Sequence, residues 1–184
     1  MNNPINSKFC NMKFSSLTFM FLFFLSTSVF AKIKVEEDSF LLHGKLYEVD
    51  IREGGDISAP KVQVVVYQDN EIYVAFYTNV TGQFEFKLPL GHHYELWFGG
   101  SAYVNKKVTV DASSLKARKG GYDVELDMGL FRPQDGFTFP ELDEPFVKVV
   151  WNAEYEQLIP DMAYTDGRRK ELDKAIKKLR KQKV

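Results

Sequence analysis

Phe84-Glu85-Phe86-Lys87-Leu88 alternates apolar and charged residues without a break. Successive side chains of an extended chain point to opposite faces, so this stretch reads as a strand with one face buried and the other in water. Working outward, the same period recurs in Leu42-His43-Gly44-Lys45-Leu46, Val62-Gln63-Val64-Val65-Val66 and Ile72-Tyr73-Val74-Ala75-Phe76. It continues in Tyr94-Glu95-Leu96-Trp97-Phe98, Lys107-Val108-Thr109-Val110 and Tyr122-Asp123-Val124-Glu125-Leu126-Asp127-Met128. Turn residues separate them: Asp69-Asn70, Thr81-Gly82, Pro89-Leu90-Gly91, Gly99-Gly100 and Gly120-Gly121. Seven half-buried strands with short polar turns predict an all-β protein, a seven-stranded antiparallel Greek-key sandwich. Its expected core is Phe84, Phe86, Tyr94, Leu96 and Phe98 against Val64, Val66, Val108, Val110, Val124 and Leu126.

The first stretch addresses the chain. Lys8 and Lys13 precede the apolar run Leu17 to Leu25, and small residues lead to Val29-Phe30-Ala31. That order is a secretory signal peptide, residues 1–31, cut after Ala31. The apolar run is shorter than the ~20 residues of a membrane span. Met12 is an alternative start. Of 24 basic and 25 acidic residues the leader takes two lysines, leaving a net charge near −3. It also takes Cys10, the one cysteine, so the exported chain has no disulfide and no lipid-bearing cysteine. The expected address is the periplasm or cell surface, neither transmembrane nor lipid-anchored.

Several of these segments carry a resemblance. Leu42-His43-Gly44-Lys45-Leu46, Thr81-Gly82-Gln83-Phe84, Leu88-Pro89-Leu90-Gly91 before Tyr94-Glu95-Leu96, and Ala102-Tyr103 before Val108-Thr109-Val110 resemble the carboxypeptidase regulatory-like domain. The resemblance covers about residues 40–111, with Ala102 standing where that family usually has glycine. It implies a transthyretin-like (prealbumin-like) sandwich of the Bacteroidetes-type bacterial cell envelope, a non-enzymatic adaptor with no catalytic residue. The sandwich is placed at 32–130.

Residues 131–184 read as a C-terminal extension. Pro133, Pro140 and Pro145 space out an acidic, extended stretch at Glu141-Leu142-Asp143-Glu144. Phe146 to Trp151 and Glu154 to Leu158 predict a hairpin. From Asp166, read as a cap, the period turns helical: Leu172, Ala175, Ile176 and Leu179 share one stripe. The basic helix, about 168–181, is expected to be a loosely docked appendage, dispensable for stability and ordered by an anionic partner.

Chemistry-bearing motifs are few. His92 and His93 are adjacent on a strand and point apart, so no metal or other cofactor is expected. Gly-x-Ser-x-Gly, His-Glu-x-x-His and a phosphate loop do not occur. The expectation is a binding or structural module, not an enzyme, working through protein contacts. Its candidate binding residues are Trp97 and His93 on the outer face, and Arg168, Arg169, Lys174, Lys177 and Lys178 on the helix. The expected partners are an envelope protein or polysaccharide, with an anionic surface at the helix. Nucleic acid is not expected, given export and the mildly negative charge. The alternative is a carbohydrate-binding module placing Trp97 with Tyr73 or Tyr77 on one open face.

Overall fold

The computed structural model describes residues 38–51 and 55–182, so the proposed leader lies outside the described residues. The alternating segments form strands with the expected faces. In β6 (His93–Gly99), Tyr94, Leu96 and Phe98 are buried, while His93, Glu95 and Trp97 face outward. Its neighbours β3 (Gln63–Gln68) and β7 (Lys106–Asp111) pair antiparallel, putting Leu96 opposite Val66 and Val108. The strand β4 (Glu71–Tyr77) joins β3 through Asp69-Asn70, both at positive φ, as a two-residue hairpin turn requires.

The second sheet is organised around one long strand, β1 (Ser39–Val49). One side of β1 pairs antiparallel with β5 (Gln83–Pro89) and with β2 (Asp56–Ser58). The same strand pairs in parallel with β8 (Tyr122–Glu125) and β9 (Met128–Leu130). The seventh expected strand is therefore two, broken at Leu126-Asp127. At the break, Leu126 N–H donates to the His43 carbonyl (2.9 Å), and Asp127 Oδ1 accepts from Lys45 N–H (2.7 Å). Between those bonds lies Gly44, where a Cβ would come 2.1 Å from the Leu126 carbonyl oxygen. Gly82 meets a second backbone demand, with φ of 78° in the turn before β5.

The expectation of seven antiparallel strands is corrected in two ways. Eleven strands occur among the described residues, and the sheets are mixed. The additional strands include β10 (Val147–Asn152) and β11 (Gln157–Pro160), the expected hairpin. β10 runs parallel to β7 and extends that sheet to the order β11-β10-β7-β6-β3-β4. The proline-spaced stretch is not simply extended: Pro140–Leu142 makes a 3-10 turn that buries Leu142, and Phe139 packs edge-on against Phe131 and Phe137.

The core agrees with the sequence at ten of the eleven expected positions, which are buried. Phe86 is partly exposed, packing edge-on against Phe76 with ring centres 4.9 Å apart. Further members come from the earlier strands, Phe40, Leu42, Leu46, Val62 and Leu88 among them, and from beyond residue 112, where Leu130, Val147, Val149, Leu158, Leu172, Ala175 and Leu179 are each buried to 5% exposure or less.

The helix α1 (Met162–Gln182) starts six residues before Arg168. Its cap is Asp161, not Asp166: the Asp161 carboxylate accepts from Tyr164 N–H at 3.0 Å, one residue after β11 ends. The loosely docked appendage is also corrected. Leu172, Ala175 and Leu179 lie in the core, Tyr164 Oη donates to the Pro145 carbonyl (2.7 Å), and Arg180 Nε donates to the Ile51 carbonyl (2.6 Å). The stripe is narrow, but the neighbouring elements cover it, and burial supplies what intrinsic helix stability cannot.

Candidate functional site

On the outer face of the β6 sheet, His93, Glu95, Thr109, Asp111 and Lys148 line a groove of about 550 Å³ with the Asp69-Asn70 turn at its rim. His93 Nδ1 lies 3.2 Å from Asp111 Oδ1, and His92 Nδ1 lies 2.6 Å from Asp69 Oδ2. The two histidines thus take different carboxylates. The His92 bond holds the Asp69 carboxyl below its usual range, and the Ser113 hydroxyl does the same for Asp111. Among the described residues, no group of three or more His, Cys, Asp or Glu could hold a metal ion.

Trp97 sits on this face but is not open. Its Nε1 donates to Glu95 Oε1 (2.5 Å), Tyr67 packs beside the indole, and the Lys107 ammonium lies 4.8 Å from the ring centre. Lys107 is itself held by the Asp143 carbonyl at 2.6 Å. Of the two tyrosines expected beside Trp97, Tyr77 shares its outer face two strands away and is exposed, whereas Tyr73 does not join them. A bulge in the β3–β4 pairing puts Ile72 opposite Tyr67 and turns Tyr73 toward the inward-facing Tyr94, with ring centres 6.5 Å apart.

On α1 the expected basic set divides. Arg168 is turned in: its guanidinium donates to the Glu141 carbonyl and pairs with Glu171. Arg169 pairs with Asp166 at 3.2 Å and borders a cavity beneath the helix. Lys174, Lys177 and Lys178 are exposed, and Lys170 and Lys181, which the sequence reading left out, are exposed with them. At 100° per residue these five lysines span roughly 100° of the helix surface, centred opposite the buried stripe.

The cavity was missed altogether. It measures about 400 Å³, opens to solvent, and lies between α1 and the edge where β1, β9 and β10 meet. Lys106 borders it at 5% exposure. The ammonium donates to the Gly129 carbonyl (2.6 Å) and sits 4.3 Å and 5.5 Å from the ring centres of Phe146 and Phe131. Among the described residues, no carboxylate lies within ion-pair distance of it. Burial first, then Arg169, against an opposing pull from Asp173, together bring the Lys106 amine down to about 7. The sequence did carry a signal: Lys106 shares its strand face with Val108 and Val110, the inward register.

A third polar cluster ties β1 to the loop after β9. Arg132 Nε and Nη2 donate to both oxygens of Glu48 at 2.7 and 2.8 Å, and Tyr103 Oη donates to the same carboxylate at 3.0 Å. The Arg132 bonds hold the Glu48 carboxyl below its usual range. This cluster is a structural tie.

No family model matches the chain, and no curated protein does. Solved structures do. The 3-chlorocatechol 1,2-dioxygenase of Rhodococcus opacus is similar at a TM-score of 0.35 and 11% identity, over 52% of this chain and 60% of the enzyme. The hydroxyquinol 1,2-dioxygenase of Pseudomonas putida gives 0.35 and 8%, over 52% and 57%. The minor pilin GBS52 of Streptococcus agalactiae gives 0.38 and 12%, over 58% and 50%. This chain therefore spans less than two thirds of each. With dioxygenases among the structures it is similar to, the expectation that the chain is not an enzyme is withdrawn. Among the described residues no helix is long and apolar enough to cross a membrane.

Proposed function

We propose that the chain is an exported binding module of a bacterial cell envelope, built on a carboxypeptidase regulatory-like sandwich, which docks an acidic protein partner through α1. One arrangement carries this reading: α1 buries one face in the core and offers five lysines on the other. A docked helix presents those charges at fixed spacing, which lowers the ordering cost of binding relative to a free segment. Complementary charge would speed encounter and reject basic partners. A protein surface fits better than a bilayer. A membrane-surface helix inserts its apolar face, and the apolar residues of α1 that pack (Leu172, Ala175, Leu179) are already buried.

Titrating the protein with fluorescein-labelled poly-L-glutamate and reading anisotropy tests this. Binding should weaken with added salt. Changing Lys170, Lys174, Lys177, Lys178 and Lys181 together to glutamine should abolish most of it without moving the melting temperature. Equal binding by the glutamine variant would refute the assignment. Binding to phosphatidylglycerol vesicles but not to polyglutamate would make the helix a membrane contact instead.

A further inference from the structure

We propose that Lys106 is a carbonyl-reactive amine, and that the cavity beneath α1 admits small aldehydes or ketones with an apolar body, which Lys106 captures as an imine. The argument starts from register. An inward lysine on β7 places an amine where the sandwich otherwise puts valine, and no carboxylate among the described residues pairs with that amine. Its fixed neighbours are the Gly129 carbonyl and the Phe146 and Phe131 rings. An isolated buried ammonium is costly, so the neutral amine is favoured, and the neutral amine is the nucleophile.

The surroundings suit capture as well as deprotonation. Apolar walls from Ile51, Met128, Phe146 and Ile176 leave room for a molecule the size of an aromatic aldehyde, since small-molecule sites begin at about 300 Å³. The charged groups facing the cavity are Arg169 and Asp173 from α1 and Asp127 from the β8–β9 link. Asp127 is engaged by Lys45 N–H and Arg169 by Asp166, which leaves Asp173, whose charge acts on Lys106, as the carboxylate for proton transfer.

In the reaction the Lys106 nitrogen lone pair adds to the carbonyl carbon as the C=O π bond breaks. A proton passes from nitrogen to oxygen to give a carbinolamine. The remaining N–H proton is then relayed to the hydroxyl, which leaves as water while the nitrogen lone pair forms the C=N bond. No oxidant, reductant or cofactor enters the balance. At neutral pH an ordinary lysine, with its pKa near 10.4, is almost wholly protonated, whereas Lys106, near 7, is about half neutral.

The test treats the intact protein at pH 7 with benzaldehyde and cyanoborohydride, which reduces the imine to a stable secondary amine, followed by peptide mapping. Lys106 should be modified at least about tenfold faster than exposed Lys174 and Lys177, with the advantage narrowing toward pH 10 as those lysines deprotonate. Lys106→Met should lose one rapidly added equivalent and leave the slow ones unchanged. Modification that simply follows exposure, with Lys106 no faster than Lys174, overturns the proposal. So does a rapid equivalent on a lysine that survives in Lys106→Met, the N-terminal amine, with its pKa of about 8, being mapped separately. The wild-type map decides the matter even if that variant fails to fold.

Discussion

The chain before Asp111 and the chain after it build the same two sheets in opposite ways. Up to Asp111, every strand pair is antiparallel: β1 with β2 and β5, β3 with β4 and β6, and β6 with β7. After Asp111, every strand that joins one from the first part runs parallel to it, β8 and β9 on β1 and β10 on β7, while β11 adds to β10 antiparallel. Antiparallel neighbours can close through local turns, as β3–β4 and β6–β7 do, and half-buried strands declare themselves by alternation. Parallel neighbours need a long return, so their partners are remote in sequence. The difference teaches that residues beyond 112 complete a core that the first part leaves open.

Truncation should break this comparison most severely. Removing residues 161–184 would expose the apolar residues that α1 covers and withdraw Leu172, Ala175 and Leu179 from the core. At ~2–5 kcal/mol for each large buried side chain, the loss approaches the whole stability of a small domain. Circular dichroism melting should show no cooperative transition, or one far below the intact chain's.

Single substitutions sharpen the contrast. Leu96→Ala, in the antiparallel part, and Leu172→Ala, on α1, should each cost about 2–5 kcal/mol by urea denaturation, because both side chains are buried. A cost for Leu172→Ala below about 1 kcal/mol would return the helix to the status of an appendage.

Lys106 sits where the two parts meet. Its amine falls from 10.5 in the unfolded chain to about 7 when folded. Below pH 7 both states hold the proton and the folded state bears the full cost of the buried charge. Between 7 and 10.5 only the unfolded state holds it, so the cost fades as pH rises. Lys106→Met should therefore be more stable than wild type by on the order of a few kcal/mol at pH 6, with the gap closing by pH 10. A gap independent of pH would mean that packing, not charge, sets the effect.

The smallest expected effect lies within α1. Gly167 is exposed, and an added Cβ there meets nothing within 4 Å. Gly167→Ala should raise stability by about 0.5–1 kcal/mol, measured by thermal melting.

That glycine also explains part of what the sequence hid. A helix reading stops at a glycine, so the expected start fell at 168 and the cap at Asp166, while Asp161 caps the true first turn. Apart from the three-residue β2, the strands from 39 to 111 were legible because one wet face and one dry face impose period two. β8 and β9 looked like a single strand because their alternation continues through Leu126-Asp127, and only the remote pairing with Gly44 shows the break. The outward direction of His93 and Trp97 was legible from the same period, but the lysine and tyrosine that cover Trp97 arrive from neighbouring strands. The lysine face needed the whole helix in register, including Lys170 and Lys181. Lys106 was readable in principle, as a charge in the inward register of Val108 and Val110, but the alternating segment was taken to begin at Lys107.

Native-state hydrogen exchange on the free protein tests most directly whether α1 belongs to the fold. The account predicts that the amides of Leu172, Ala175 and Leu179 exchange only through the same global opening as those of Leu96 and Val108, with a matching dependence on denaturant. Exchange of the α1 amides at rates near those of an isolated helix, while the sandwich strands stay protected, would contradict it.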